Sequence, residues 1–287
     1  MKRVDLHVHT TYSDGTFTPQ KVVDYAAKIK LAAIAITDHD ITDGIPVAQE
    51  YAKKFDLEVV PGVELSVEMP TRSDLELHIL GYYIDFTDPA FQERLSFFRQ
   101  KRQERAQLML EKLRDLNVFL DGKKLLETSN KNAIGRLHFA QALLEEGYVH
   151  NIQEAFQRFI GYGRPAYVPK TRLTPEQAMK MILDIKGIPV LAHPYFSEIN
   201  KDMIAHLVGL GLKGIEVYHS RHSRADMGRF NQFASDFNLL ITGGSDCHGE
   251  IDKNDALMGN IEVPYEILEK MKDFRKTFFA QPEAKNV

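Results

Sequence analysis

Short apolar segments alternate with helical segments along most of this chain of 287 residues. Val4, Leu6 and Val8 form the apolar face of a first predicted strand, a helix follows at Pro19–Ile29, and a continuous apolar run then spans Leu31–Thr37. Continuous apolar runs of this length are typical of strands that are buried on both faces. The alternation predicts an α/β protein with parallel strands and crossover helices, arranged either as an open sheet or as a barrel.

The same alternation continues along the chain and is interrupted once. Further strands are predicted at Leu57–Leu65, Leu75–Ile84, Ile188–Ala192, Lys213–Tyr218 and Leu239–Thr242, and further helices at Asp43–Phe55, Pro175–Lys186, Asp202–Val208 and Ser223–Phe237. Residues 89–169 depart from the pattern, because they are rich in helical segments and begin with one long helix, Phe91–Asn117. The sequence therefore predicts an α/β domain formed by residues 1–88 and 170–287, with an inserted helical cap domain at residues 89–169.

The composition excludes several classes of protein. A formal net charge of −4 provides no broad basic surface for nucleic acid. The single cysteine, Cys247, excludes an internal disulfide framework and a zinc site with several thiolates. No apolar segment approaches the length that spans a membrane, and no signal peptide precedes the first strand. We therefore expect a cytoplasmic protein that has no membrane contact and needs no stable protein partner.

Two histidines, His7 and His9, lie at the end of the first predicted strand. Side chains two residues apart on a strand leave the same face, so both imidazoles can bind one metal ion. The carboxyl end of a strand is also where α/β folds place their chemistry. By itself such a pair is weak support for a metal site, because most pairs of this kind are incidental.

Histidines and carboxylates also stand at or near the ends of the other predicted strands. Together they form a set of nine possible metal ligands: His7, His9, Asp14, His39, Glu64, His78, His193, Asp246 and His248. Imidazole and carboxylate ligands without thiolate suit Mn²⁺, Fe²⁺ or Zn²⁺. Nine ligands are too many for one ion, but they suffice for two or three ions if a carboxylate such as Glu64 bridges a pair. Two ions about 3.5–4 Å apart can share a hydroxide that attacks phosphorus in line, so the set predicts hydrolysis of a phosphate ester.

Six segments around these residues resemble the ordered motifs of the PHP domain (polymerase and histidinol phosphatase), a family of metal-dependent phosphoesterases. The segments are DLHVHTTYSDGT, AIAITDHD, PGVELS, HILGY, VLAHP and GGSDCHG. The resemblance implies a distorted (β/α)7 TIM-like barrel with a trinuclear metal centre at the carboxyl ends of the strands. It also implies a ligand set for each ion: His7, His9, Glu64 and Asp246 for the first; Glu64 as a bridge, His78 and His193 for the second; Asp14, His39 and His248 for the third.

Segments of the inserted region resemble one subgroup of this family. Ile134–Ala140 (IGRLHFA), Ala155–Phe156 and Ala166–Pro169 are similar to proteins that hydrolyse 3′,5′-nucleoside bisphosphates and short oligoribonucleotides, with Leu137 where the subgroup has proline. The resemblance implies removal of the 3′-phosphate from a compound such as pAp, which gives AMP. A 5′-3′ exoribonuclease and a histidinol-phosphate phosphatase are alternatives. A non-catalytic barrel with structural metals is disfavoured, because all nine positions hold competent ligands.

Several residues are expected to act on the substrate directly. Arg136, Lys170 and Arg102 are predicted to bind its phosphate groups, because forked or compact cations match phosphate oxygens; a structural ion pair or a solvated charged face is the alternative for each. His222, which follows a predicted strand, is expected to protonate the leaving oxygen or to bind phosphate, unless it is a loop histidine that hydrogen-bonds to backbone. Glu64 and Asp246 are expected to be catalytic through the metal centre.

Overall fold

The computed structural model describes residues 2–69, 72–128, 134–197, 199–250 and 258–280. Within these ranges the chain divides into two compact units. One unit comprises Met1–Phe91 and Leu173–Val287, and the other comprises Gln92–Arg172. None of the helices described is both long enough and apolar enough to cross a membrane.

The first unit is built around a single sheet of eight strands. They are β1 (Arg3–Val8), β2 (Ala33–Ile36), β3 (Glu58–Met69), β4 (Arg72–Tyr82), β5 (Ile188–Leu191), β6 (Gly214–His219), β7 (Leu240–Gly244) and β8 (Val263–Pro264). Their order in the sheet is β7-β6-β5-β4-β3-β2-β1-β8. The segment that follows β7 returns to β1, where the N–H of His9 donates to the carbonyl of Cys247 over 2.9 Å. The sheet is therefore a nearly closed, distorted TIM-like barrel, which confirms the predicted fold.

Two strands of the sheet depart from the expectation of parallel pairing: the short strand β8, which is antiparallel to β1, and β4. β1, β2 and β3 are parallel to one another, as are β5, β6 and β7, but β4 is antiparallel to both of its neighbours. The physical reason is the connection, because only residues 70 and 71 separate β3 from β4. A turn of two residues can join antiparallel strands, whereas a parallel pair needs a crossover of a dozen residues or more.

Ten α-helices accompany the strands in the described part of the chain, and most begin where the sequence predicts. They are α1 (Pro19–Lys28), α2 (Gly44–Ala52), α3 (Pro89–Asp115), α4 (Gly122–Thr128), α5 (Arg136–Glu145), α6 (Ile152–Ala155), α7 (Pro175–Asp184), α8 (Lys201–Gly209), α9 (Arg224–Asp236) and α10 (Tyr265–Ala280). A π-helical turn, Phe156–Ile160, continues α6, and a 3₁₀ turn, Pro194–Ser197, follows β5. The start of α1 shows why the bounds are predictable: the Thr18 hydroxyl caps it by accepting from the Lys21 N–H, and Pro19 takes the first helical position.

Each unit has its own apolar core. In the barrel unit, strand residues such as Leu6, Ala35 and Leu80 are fully buried and pack against Leu268 and Met271 of α10. The buried Tyr82 hydroxyl is satisfied, because it donates to the carbonyl of Leu6 over 2.8 Å. The second unit contains most of α3 together with α4, α5 and α6, and its core includes the buried side chains Met109, Leu113, Phe139, Leu143 and Ile160. The predicted helix-rich character of this region is confirmed.

Candidate metal centre

Four side chains converge on one point at the carboxyl end of β1. His7 and His9 come from β1 and the residue after it, Glu64 from β3, and Asp246 from the loop after β7. Glu64 Oε2 lies 3.2 Å from His7 Nε2 and 3.1 Å from His9 Nε2, and Asp246 Oδ1 lies 3.4 and 3.2 Å from the same two nitrogens. Ligands about 2.1 Å from a tetrahedral ion are about 3.4 Å apart, so these separations match one ion with four ligands.

The atoms of this group are buried in a way that a cation would explain. His7 Nε2, His9 Nε2, Glu64 Oε2 and Asp246 Oδ1 are all inaccessible to solvent and have no hydrogen-bond partner among the described residues. Buried polar atoms in proteins are nearly always paired, because an unpaired one costs the full desolvation free energy. The donor set therefore fits a divalent ion with nitrogen and oxygen ligands.

Further imidazoles surround Glu64, two of them at its other oxygen. His78 Nδ1 of β4 and His193 Nε2, just after β5, lie 2.8 and 2.9 Å from Glu64 Oε1, while His39 Nδ1 is 3.3 Å from Oε2. His39, Glu64 and His78 form a set whose ligand atoms all lie within 4.8 Å of one another. The two oxygens of one carboxylate thus face different groups of imidazoles, as a bridging ligand requires.

A third group forms around Asp14 in the loop after β1. Its members are His9, Asp14, His39 and His248, whose ligand atoms also lie within 4.8 Å of one another. Asp14 Oδ1 is 3.3 Å from His248 Nε2 and 3.5 Å from His9 Nδ1, and Asp14 Oδ2 is 3.7 Å from His39 Nε2. The structure therefore brings all nine of the ligands predicted from the sequence into one continuous cluster.

The cluster is electrostatically balanced by its own charges. Burial alone would raise the pKa of Glu64, but His39, His78 and His7 hold it well below its usual range. Burial would lower the pKa of His9, but Asp246, Glu64 and Asp14 raise it to about 10. Glu64 is therefore ionised, which is the form in which a carboxylate binds a metal ion.

The backbone around the cluster is shaped by residues in rare conformations. His193 and Asp246 have φ angles of +22° and +56°, in the left-handed region that residues with a Cβ rarely adopt. Gly244 allows the close approach of β7 to β1, because a Cβ at this position would lie 2.4 Å from the backbone nitrogen of His7. Strained positions of this kind concentrate at functional sites.

A buried glutamate that the sequence analysis did not single out supports two members of the cluster. Glu216 of β6 is fully buried, and its Oε1 lies 3.1 Å from His7 Nδ1. Its Oε2 accepts from the backbone N–H of His193 over 2.8 Å. A carboxylate on Nδ1 fixes the tautomer in which Nε2 of His7 is free to bind an ion. The only signal in the sequence was one acidic residue in the otherwise apolar and aromatic strand GIEVYH.

Asp38 supports the loop that carries Asp14. It is fully buried, and it accepts from the N–H of Thr10 over 2.7 Å and from the hydroxyl of Ser13 over 2.5 Å. The Ser13 hydroxyl also lies 3.4 Å from His9 Nδ1. Asp38 therefore acts on the cluster through Ser13 rather than by touching an imidazole.

Two further histidines lie beside the cluster. His222 Nδ1 donates to the carbonyl of Val217 over 2.8 Å, while its Nε2 is buried without a hydrogen-bond partner in the described part of the chain. Burial lowers the pKa of His222. His219, at the end of β6, places Nε2 3.6 Å from Asp246 Oδ2, although the sequence analysis gave it no role. Its position at the end of a strand was the signal that could have identified it.

The predicted phosphate-binding residues Arg102, Arg136 and Lys170 all lie in the second unit, and each is half-buried. The Arg136 guanidinium lies over two aromatic rings, 5.6 Å from the centre of Phe156 and 5.8 Å from that of Tyr167. The second unit thus presents a cation against two flat apolar faces, which is a common arrangement for nucleotide recognition.

A further arginine, to which the sequence analysis gave no role, lies near Arg136, Arg172 and Arg102. Arg105 is 9% exposed, and its Nε donates to the carbonyl of Val168 over 2.7 Å. Burial and the neighbouring guanidinium groups of Arg136, Arg172 and Arg102 lower the pKa of Arg105 to about 10. A cluster of like charges raises the free energy of the free protein and is relieved by an anion.

Known proteins resemble this chain in sequence and in structure. The sequence pattern of the PHP domain matches residues 5–159. The chain is 33% identical to the 5′-3′ exoribonuclease Rnm of Salmonella typhimurium over 85% of its own length and 84% of that protein. It is 34% identical to the 3′,5′-nucleoside bisphosphate phosphatase of Chromobacterium violaceum over 86% of its own length and 88% of that protein. An amidohydrolase of the same organism, solved with sulfate and without metal, superposes with a TM-score of 0.82 and 31% identity over 94% of this chain and 96% of its own.

Proposed function

This chain belongs to the PHP domain family and is a metal-dependent phosphoesterase, and we propose that it removes the 3′-phosphate from 3′,5′-nucleoside bisphosphates such as pAp. The observation that carries the proposal is the convergence of nine ligand-type side chains on Glu64 and its neighbours, in a chain similar to a 3′,5′-nucleoside bisphosphate phosphatase. Such a centre suits a doubly charged phosphate ester, because clustered cations offset the charge that opposes attack.

In this proposal the cluster holds two or three divalent ions, with Mn²⁺ preferred and Fe²⁺ or Zn²⁺ as alternatives. His7, His9, Glu64 and Asp246 hold the first, Glu64 bridges to a second with His78 and His193, and Asp14, His39 and His248 hold the third. When bound, the ions supply Lewis acidity and lower the pKa of water toward neutrality. Glu64 and Asp246 are catalytic because they fix the positions of these charges.

His222 is proposed to handle the proton of the leaving oxygen. Its Nδ1 is committed to the carbonyl of Val217, so Nε2 is the atom that can exchange a proton with the substrate. Nε2 has no hydrogen-bond partner among the described residues; in the neutral ring it accepts a proton, and in the protonated ring it can donate to the leaving oxygen or to a phosphate oxygen.

The helical region, residues 89–169, is proposed to be a cap domain, and cations of this domain together with Lys170 directly after it are proposed to bind the phosphate groups of the substrate. Arg136 and Arg102 lie around the buried Arg105, and Lys170 follows two residues after Val168, which binds Arg105. A nucleoside bisphosphate has two phosphate groups and a base, and guanidinium groups and aromatic faces recognise both features. A free nucleotide as the partner also agrees with the cytoplasmic localisation expected from the sequence.

The test is phosphate release by the purified full-length protein. With Mn²⁺ present, we expect it to convert pAp to AMP and inorganic phosphate, and we expect a chelator to abolish this release and added Mn²⁺ to restore it. Elemental analysis of the same preparation should find two or three divalent ions for each chain. Rapid hydrolysis of histidinol phosphate without any release from pAp would overturn the proposed substrate.

A second candidate function is 5′-3′ exoribonuclease activity on short RNA at the same centre. The similarity to Rnm favours it, because that relative covers nearly as much of the chain as the phosphatase does. Oligoribonucleotides of increasing length, compared with pAp at equal concentration, separate the two functions. Release of mononucleotides from the 5′ end would show the exonuclease, whereas activity confined to pAp would show the phosphatase.

Replacing Arg136 by alanine is expected to raise KM for pAp about tenfold with a smaller change in kcat, because a charge-assisted contact to phosphate is lost in both the ground state and the transition state. Steady-state kinetics with pAp measure both constants. Arg158→Ala is the matched control, since Arg158 belongs to the same unit, is exposed and pairs with Glu154. Equal KM values for Arg136→Ala and the unchanged protein would contradict phosphate binding by Arg136.

A further inference from the structure

A pocket of about 360 Å³ lies at the end of the barrel strands opposite to the metal centre. Its lining residues are Tyr83, Lys186, Lys272, Arg275, Lys276, Phe279 and Ala280. Tyr83 is five residues beyond His78 along β4, which corresponds to roughly 16 Å at the rise of an extended strand. The pocket is therefore separate from the cluster around Glu64, and its volume lies in the range of small-molecule sites.

The lining of this pocket is strongly cationic. Lys272, Arg275 and Lys276 project from one face of α10 at helical spacing, and Lys186 approaches from the loop before β5. No carboxylate lines the pocket within the described part of the chain. The carboxylates that contact these lysines lie outside the pocket lining.

Two of the four cations already have acidic neighbours. Lys272 Nζ is 2.6 Å from Glu58 Oε2, and Lys276 Nζ is 3.7 Å from Asp273 Oδ1. These contacts offset part of the charge of α10. The pocket keeps a local excess of positive charge in a chain whose formal net charge is −4, and such an excess attracts anions.

The pocket also offers aromatic surface and an unsatisfied hydroxyl. The Arg275 guanidinium lies 5.6 Å from the centre of the Tyr83 ring, and its Nε is 3.5 Å from the carbonyl of Lys186. The Tyr83 hydroxyl is buried and has no hydrogen-bond partner among the residues described. Tyr83 and Lys186 adopt φ angles of +55° and +56°, so both sides of the pocket hold bulky residues in the left-handed region.

We propose that this pocket binds a mononucleotide, with the phosphate on Lys186 and Arg275 and the base against Tyr83 and Phe279. Guanidinium and ammonium groups recognise phosphate oxygens, while aromatic rings and an arginine plane stack on a base of any sequence. The site is distinct from the phosphoesterase centre, and its occupancy does not depend on the substrate proposed above.

The absence of tryptophan from the chain gives a reporter that is specific for this pocket. A Phe279→Trp variant of the full-length protein carries one tryptophan, which lines the pocket. We expect AMP to quench its fluorescence along a saturable curve, and adenosine to bind at least about tenfold more weakly because it has no phosphate. Phosphoesterase activity of this variant should be unchanged, since Phe279 is outside the metal centre.

Reversing the charge of Lys186 and Arg275 tests whether these residues bind the phosphate of the nucleotide. In the Phe279→Trp background, Lys186→Glu combined with Arg275→Glu should raise the dissociation constant for AMP at least about tenfold. Lys270→Glu is the matched control, because Lys270 is exposed on the same helix and does not line the pocket, and it should change the constant less than about twofold. Quenching that does not saturate, that is equal for AMP and adenosine, or that survives the double reversal would overturn the proposal.

Discussion

Replacing Glu64 by glutamine is expected to lower kcat/KM for pAp by about a thousandfold. The substitution keeps the shape of the side chain but removes its charge and replaces one oxygen by an amide NH₂. Each oxygen of Glu64 faces imidazole nitrogens at 2.8–3.3 Å, so the amide must place a donor where an ion or an imidazole requires an acceptor. We also expect elemental analysis to find fewer divalent ions for each chain.

Glu68→Gln is the matched control for this prediction. Glu68 lies on the same strand, four residues beyond Glu64, and belongs to none of the three ligand groups. It should keep nearly all of the activity and the full metal content. If Glu64→Gln retained both, the central role that we propose for Glu64 would be wrong.

Replacing Glu216 by glutamine is expected to weaken metal binding by about a hundredfold, at the upper end of what loss of a carboxylate behind a ligating histidine costs. The two oxygens of Glu216 lie against two donors, His7 Nδ1 and the backbone N–H of His193. A glutamine can accept from only one of them and turns its NH₂ toward the other. The glutamine side chain then no longer fixes the His7 ring and the His193 backbone at the same time.

Titration of the metal-free protein with Mn²⁺ measures the affinity directly. Because Glu216 acts through ligands, raising the concentration of Mn²⁺ should restore most of the activity of Glu216→Gln, and this rescue distinguishes positioning from a direct role in the reaction. Glu266→Gln, an exposed substitution in the first turn of α10, is the control and should bind Mn²⁺ normally. An unchanged affinity in Glu216→Gln would contradict the positioning role.

The sequence allowed the barrel to be predicted because most of its strands and helices carry local signals. Leu31–Thr37 is continuously apolar, and Thr18-Pro19 marks a helix start; the structure has β2 and α1 at these places. The antiparallel direction of β4 was not predicted, because the alternation of segments was extended to a pair of strands that has no helix between them. Direction depends on the length of that connection, which periodicity does not report.

The predicted ligands were recognisable for a related reason, since most of them follow or end a segment with a clear strand pattern and His78 lies within one. Glu216 and Arg105 lacked such a signal. Glu216 is one acidic residue inside an apolar strand, and Arg105 is one of many charges on a long helix. Their importance arises from tertiary neighbours, His7 in one case and three other arginines in the other, and no local pattern encodes those neighbours.

Closure of the barrel joins residues from opposite ends of the chain, since His9 bonds to Cys247 and the first ligand group combines His7 with Asp246. Contacts of such long sequence separation form late, because the entropy of closing the loop must be overcome first. During synthesis His7, His9 and Glu64 emerge long before Asp246, the fourth member of their group. The nascent chain therefore offers only fragments of a metal site, and full affinity arises only when folding is nearly complete, so metal loading reports on a finished barrel.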